Sequence, residues 1–310
     1  MTTPIPHTNA APPAGAAGSS SLEWVRAGLS AGGGAGGAGT PVYLECSDPA
    51  AVTRALELTP ARENGQETCI VAVAPGGWKG DPPSLPPRAV AFAGGASGEQ
   101  VRRWLDARLA YAIRGRVVVE PGLRERVVAS GRAGLGALME DALARQSALL
   151  QALHQRNVAR YEGRDAAWWA KRYAEGRQGL RVLILSTRYS TFVKHSAGDL
   201  ARALRAAGHD AHVLVEPDDW SVLTSVAHAH AVHDHQPDLV VAINYTRAHL
   251  GGGAGALGVG VPFVCWVQDA LAHLFDARAG RASGALDFLV GHAHPALFRQ
   301  FGYPSERALA

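Results

Sequence analysis

The chain has 310 residues, among them 57 Ala and 36 Gly; charged side chains make up 18% and the formal net charge is +3. That is a globular composition with length for two ordinary domains. The charge is too small for a polybasic surface that grips nucleic acid or a membrane. Three widely spaced cysteines, Cys46, Cys69 and Cys265, form no CxxC pair, which excludes a zinc ribbon or a thioredoxin-type centre. Their low, odd number fits a reducing compartment. No apolar run reaches the roughly 18 residues that span a bilayer, and the N-terminus lacks the basic stretch and apolar core of a signal peptide. A cytoplasmic protein is expected.

In chain order, residues 1–40 are built from Ala, Gly, Pro, Ser and Thr, with Glu23 and Arg26 as the only Asp, Glu, Lys or Arg. Such a segment buries too little apolar surface to offset its ordering entropy, so a disordered tail is predicted. Residues 41–122 read as a small α/β unit. Short apolar runs at 42–46, 69–74, 89–93 and 116–120 are bounded by Gly, Pro or Asp, as buried strands are. Between them, Val101, Trp104, Leu105, Leu109 and Ala112 share one face of a helix over 98–113. Residues 123–178 read as a helical connector. Leu135, Leu138, Met139, Leu143, Leu149, Leu150, Leu153 and Val158 recur mostly at helical spacings, and Trp168 and Trp169 are expected to pack this connector against a domain.

Residues 180–310 alternate strands (181–186, 211–215, 239–243, 262–267, 286–290) with helices (196–207, 221–235, 295–301), and Asp219 or Ser221 is the expected cap of the second helix. This order predicts a Rossmann-like parallel sheet, with ligands at the C-terminal strand ends.

Missing motifs narrow the chemistry. The turn after 181–186 reads TRYSTF and has no GxGxxG, which argues against a standard NAD or FAD site; no cofactor is expected. Neither GxxxxGK[ST] nor GxSxG occurs, which excludes a P-loop and disfavours an α/β-hydrolase. Polar groups do fall just past strand ends: Ser186, Thr187 and Arg188; Asn244 and Tyr245; Gln268 and Asp269; His292. In a parallel sheet these converge on one crevice, and they are the candidate substrate-binding residues. Asp269, His195 and His273 are the candidate catalytic bases, since a carboxylate or a neutral imidazole can take a proton from a hydroxyl. Arg188 is placed to face a phosphate. His228, His230, His233 and His235 lack HExxH and an acidic partner at a recognised spacing, so they read as solvated helix surface and no metal is expected.

The stretch FVCWVQD at 263–269, followed by Leu271, His273, Gly284, Asp287-Phe288 and the FGYP of 301–304, resembles the N-terminal region of CgeB-like glycosyltransferases of GT-B architecture. The resemblance covers about residues 180–307. It implies half of a GT-B architecture that transfers sugar from a nucleotide-sugar donor to an acceptor hydroxyl, with Asp269 contacting the acceptor or acting as base. It also implies a C-terminal donor domain. That domain would have to begin where this sequence stops, so a separate or missing domain is expected and the chain reads as truncated. Neither nucleic acid nor a membrane span enters this reading. Two alternatives stay open: a non-catalytic carbohydrate- or protein-binding module using the same crevice, and an oxidoreductase or other nucleotide-dependent Rossmann enzyme.

Overall fold

Short runs of β-branched and aliphatic residues separated by capped helices can bury both faces of each strand only if the strands run parallel with helices packed on the sheet. The computed structural model has that arrangement. It describes residues 41–63, 66–94, 96–131, 133–175, 179–250, 257–269, 280, 283–291, 295–300 and 302–309. The tail expected over 1–40 lies outside the described residues.

The first sheet contains β1 (Val42–Glu45), β4 (Ile70–Ala74), β5 (Ala89–Ala93) and β6 (Arg116–Val119), all parallel, in the order β5-β4-β1-β6. All four strands lie within one residue of the ranges read from the sequence. A small antiparallel hairpin, β2 (Arg62–Glu63) with β3 (Gln66–Glu67), was not anticipated. Nor was helix α1 (Pro49–Leu58), although its start carries a clear signal. Asp48 caps it by accepting from the Ala50 N–H, and Pro49 follows at the first helical position. Helix α2 (Ser97–Asp106) is shorter than the predicted 98–113. The chain from Arg108 to Ile113 leaves the helix to meet another part of the molecule, described below.

Helices α3 (Leu123–Ala129), α4 (Leu135–Tyr161) and α5 (Ala166–Ala174) follow. Helix α4 has 27 residues, about 40 Å at 1.5 Å per residue. Its N-terminal part buries Leu135, Leu138, Met139 and Ala142 against Tyr43, Val71, Val101 and Leu105 of the first unit. Its C-terminal part buries Leu153 against Val226 and Ala229 of the second. The stretch expected to connect two cores is therefore a wall of both.

The second sheet contains β7 (Arg181–Leu185), β8 (Asp210–Leu214), β9 (Leu239–Ile243), β10 (Phe263–Val267), β11 (Asp287–Gly291) and the two-residue β12 (Ala308–Leu309). It is parallel throughout, in the order β12-β11-β10-β9-β7-β8. Helix α6 (Thr191–Ala206) starts five residues before the predicted 196, because Ser190 caps it by accepting from the Val193 N–H. It ends at Gly208, whose φ of +86° suits glycine. Helix α7 (Ser225–His235) is capped by Thr224 rather than by Asp219 or Ser221. Helix α8 (Pro295–Gln300) follows β11.

The two units are joined by main-chain hydrogen bonds. Ala112 N–H donates to Val222 O at 2.9 Å, Thr224 N–H to Ala110 O at 3.1 Å, and Glu67 N–H to Asp219 O at 2.7 Å. The loop 215–224, which leaves the C-terminal end of β8, is thus held by the first unit. No helix among the described residues is long and apolar enough to cross a membrane.

Candidate functional site

In the second sheet the strand order reverses between β7 and β9. Helix α6, which follows β7, packs on one face of the sheet and α7, which leads into β9, on the other, so the loops part and a crevice opens at the C-terminal ends. A cleft of about 420 Å³ occupies that place. Its floor is Leu185, Ala242 and Ile243, the last residues of the two strands, and its polar lining is Ser186, Thr187, Tyr189, Ser190, Glu216, His228 and Tyr245. Three of the residues expected from the sequence, Ser186, Thr187 and Tyr245, are therefore brought together. Ser190 opens the N-terminus of α6 onto the same space.

Glu216 organises the loop after β7. Its side chain is almost fully buried, and it accepts from the Thr187 hydroxyl at 3.2 Å and from the Arg188 N–H at 2.8 Å. Arg188 does not face the cleft as a phosphate contact. Its Nε lies 2.8 Å from an Asp219 carboxylate oxygen, and its Nη1 donates to the Glu216 main-chain carbonyl at 3.2 Å. The guanidinium braces the 216–219 turn. By contrast, the Ser186 hydroxyl oxygen is buried and has no hydrogen-bond partner among the described residues. A buried hydroxyl left in this state at a cleft wall is a group kept for a ligand or for water.

Glu216 was missed from the sequence. The signal that finds it is the one that marks Ser186 and Asn244, a polar residue just past a strand end: Glu216 lies two residues beyond Leu214, the last residue of β8.

Asn244, Gln268 and Asp269 form a separate clasp beside the cleft. Asn244 is buried with φ +62°, a conformation that asparagine tolerates better than most residues. Its side-chain oxygen accepts from the N–H groups of Gln268 at 2.8 Å and Asp269 at 3.1 Å, and its amide nitrogen donates to an Asp269 carboxylate oxygen at 2.8 Å. The clasp ties the end of β9 to that of β10 and sets where Tyr245 leaves the strand. Asp269 itself is exposed and does not line the cleft. His195 is also exposed, on α6, and lies outside the lining. His273 and His292 lie outside the described residues.

The α7 histidines are not solvated surface. All four are partly buried, because α7 is covered on one side by α4 and on another by the sheet. His228 lines the cleft, and burial pushes its pKa down to about 4. The imidazole is therefore neutral at physiological pH and offers hydrogen bonds rather than charge. A folded-state pKa below the unfolded value means the unfolded chain takes up the proton first as pH falls. The fold should lose on the order of 3 kcal/mol between about pH 6.5 and 4 through this residue. Urea denaturation across that window should show a shallower loss in His228→Gln than in the parent. An unchanged slope would show that His228 is not buried in solution.

Among the described residues, no group of three or more His, Cys, Asp or Glu is arranged to hold a metal ion. Comparison of the chain with models of known protein families, with curated proteins and with solved structures finds no match in any of the three.

Proposed function

We propose that the β7–β9 cleft holds the acceptor of a sugar-transfer reaction whose donor is a nucleotide sugar. The observation that carries this reading is the cleft itself. It lies at the strand-order reversal, where Rossmann-like sheets take ligands. Its wall presents the hydroxyls of Ser186, Thr187, Tyr189 and Ser190, and the Tyr245 ring is half-exposed beside them. Hydroxyl donors and acceptors with one aromatic face suit a polyol ring better than a flat, apolar cofactor. The resemblance of residues 263–304 to CgeB-like enzymes supports the same assignment.

In this reading His228 and Glu216 accept hydrogen bonds from acceptor hydroxyls, and the exposed Asp269 carboxylate meets the donor side of the reaction. Titration of the full chain with UDP-, GDP- and TDP-sugars and with simple glycosides, coupled to a transfer assay, tests it. Glycoside binding with turnover that Asp269→Asn abolishes is the expected result. An absence of binding to every probe would overturn the reading.

One observation favours a second reading, a binding module without catalysis. Asp269 is held by Asn244 and stands outside the cleft, so binding does not need it. Glycoside binding that is equal in the parent and Asp269→Asn, with no turnover in either, would select the module.

A further inference from the structure

The cleft contains an unbalanced charge. Glu216 is 6% exposed, yet no Lys or Arg nitrogen approaches its carboxylate within salt-bridge distance among the described residues. The nearest guanidinium, that of Arg188, is committed to Asp219 and to the Glu216 main-chain oxygen. Two neutral donors, the Thr187 hydroxyl and the Arg188 N–H, hold the carboxylate in place and leave it lone pairs for a third partner. Burying a carboxylate without a counter-charge is costly unless something else supplies that charge.

Among the described residues the remaining lining supplies none: His228 holds the only titratable nitrogen there, and burial keeps it neutral. The other polar groups are hydroxyls, and one of them, Ser186 Oγ, lacks a partner. The N-terminus of α6 at Ser190 adds only a partial positive charge, which suits a ligand hydroxyl or ring oxygen.

From this arrangement we infer that the cleft takes a ligand bearing an ammonium group among hydroxyls, an amino sugar or a similar aminated polyol, with Glu216 as its counter-charge. The inference rests on the reading of the cleft as the acceptor site and names the class of that acceptor. The ammonium donates to a Glu216 oxygen, a neighbouring hydroxyl meets Ser186 Oγ, and the Tyr245 ring covers one face of the sugar. The same charge disfavours phosphate and carboxylate ligands, which would face Glu216 with no cationic side chain in the described lining to offset it.

Ligand-observed NMR titration of the full chain at neutral pH, using glucosamine, N-acetylglucosamine, glucose and glucuronate, tests this. Glucosamine should bind at least about tenfold more tightly than glucose or N-acetylglucosamine, as one charge-assisted hydrogen bond warrants. Glucuronate should bind most weakly. The preference should disappear in Glu216→Gln, glucosamine then binding no more tightly than glucose. Because the comparison among the four probes needs only the parent chain, the test survives if that variant fails to fold. Equal binding of all four, or tighter binding of glucuronate, overturns the inference while the cleft remains a sugar site. Binding of none of them overturns both.

Discussion

Replacing Trp169 with alanine is expected to lower the unfolding free energy by about 3–5 kcal/mol, the usual cost of emptying a buried aromatic site. Trp168→Ala should cost only about 1 kcal/mol, roughly the worth of one aromatic pair. The two residues are adjacent in sequence and differ only in direction. Asp165 caps α5 by accepting from the Trp168 N–H, which fixes the first turn of the helix. That turn aims Trp169 inward, where it is 2% exposed, packs beside Tyr161 and Tyr173, and donates from its indole to Gly260 O at 2.8 Å. Trp168 is left 39% exposed, edge-on to Trp169. Truncating Trp169 therefore loses the packing and leaves the part-buried Gly260 carbonyl without its donor. Denaturation midpoints of both variants check this; equal losses would contradict the assigned burial.

The second large effect is expected at Arg108. Its guanidinium lies 4.1 Å from the ring centroid of Trp220, 4.9 Å from that of Trp104 and 5.2 Å from that of Tyr111, and it donates to the Ser221 hydroxyl at 2.8 Å. Two of these partners, Trp220 and Ser221, belong to the loop that runs on from Glu216 to Leu223 along the cleft, while Trp104 and Tyr111 belong to the first unit. Arg108→Ala should cost about 3–5 kcal/mol, combining a cavity the size of a long side chain with lost cation–π contacts. Burial lowers the pKa of this guanidinium, so part of the lost attraction is offset by relief of the desolvation penalty. Arg108→Lys should restore little, since an ammonium cannot lie flat against the rings. Hydrogen exchange gives the distinguishing measurement. The amides of Ala112 and Thr224, bonded across the junction, should lose protection before those of β7 and β9. Uniform loss across the chain would mean that Arg108 supports global stability rather than the junction.

Much of this architecture was legible in the sequence because its strands are short, continuous apolar runs ended by Gly, Pro or Asp. A parallel strand buried on both faces must read that way. The ranges of β5 and β9 came out unchanged, and most other strands differed by one residue at an end. Helix ends were harder. The start of α6 depends on the Ser190 cap, and the end of α2 is set by Arg108 to Ile113 turning away to pair with the 215–224 loop, a contact over a hundred residues distant. The α7 histidines carried the same difficulty: their spacing was visible, but which faces α4 and the sheet would cover was not.

The candidate site divides in the same way. Ser186, Thr187 and Tyr245 could be found because a residue just past a strand end is local information. Whether such a residue faces the cleft, braces a turn or stands aside depends on partners elsewhere in the chain. Arg188 is drawn to Asp219, and Asp269 is held by Asn244.

By itself, then, the sequence determined the α/β class, the parallel strands and the set of polar groups at their ends, since periodicity and composition encode burial directly. Only the tertiary structure decided the strand order, and with it the β7–β9 crevice. It also placed Glu216 and His228 in the lining and made α4 a wall of two cores. Those outcomes depend on long-range packing and on which charges find partners, and neither is written in any local stretch of residues.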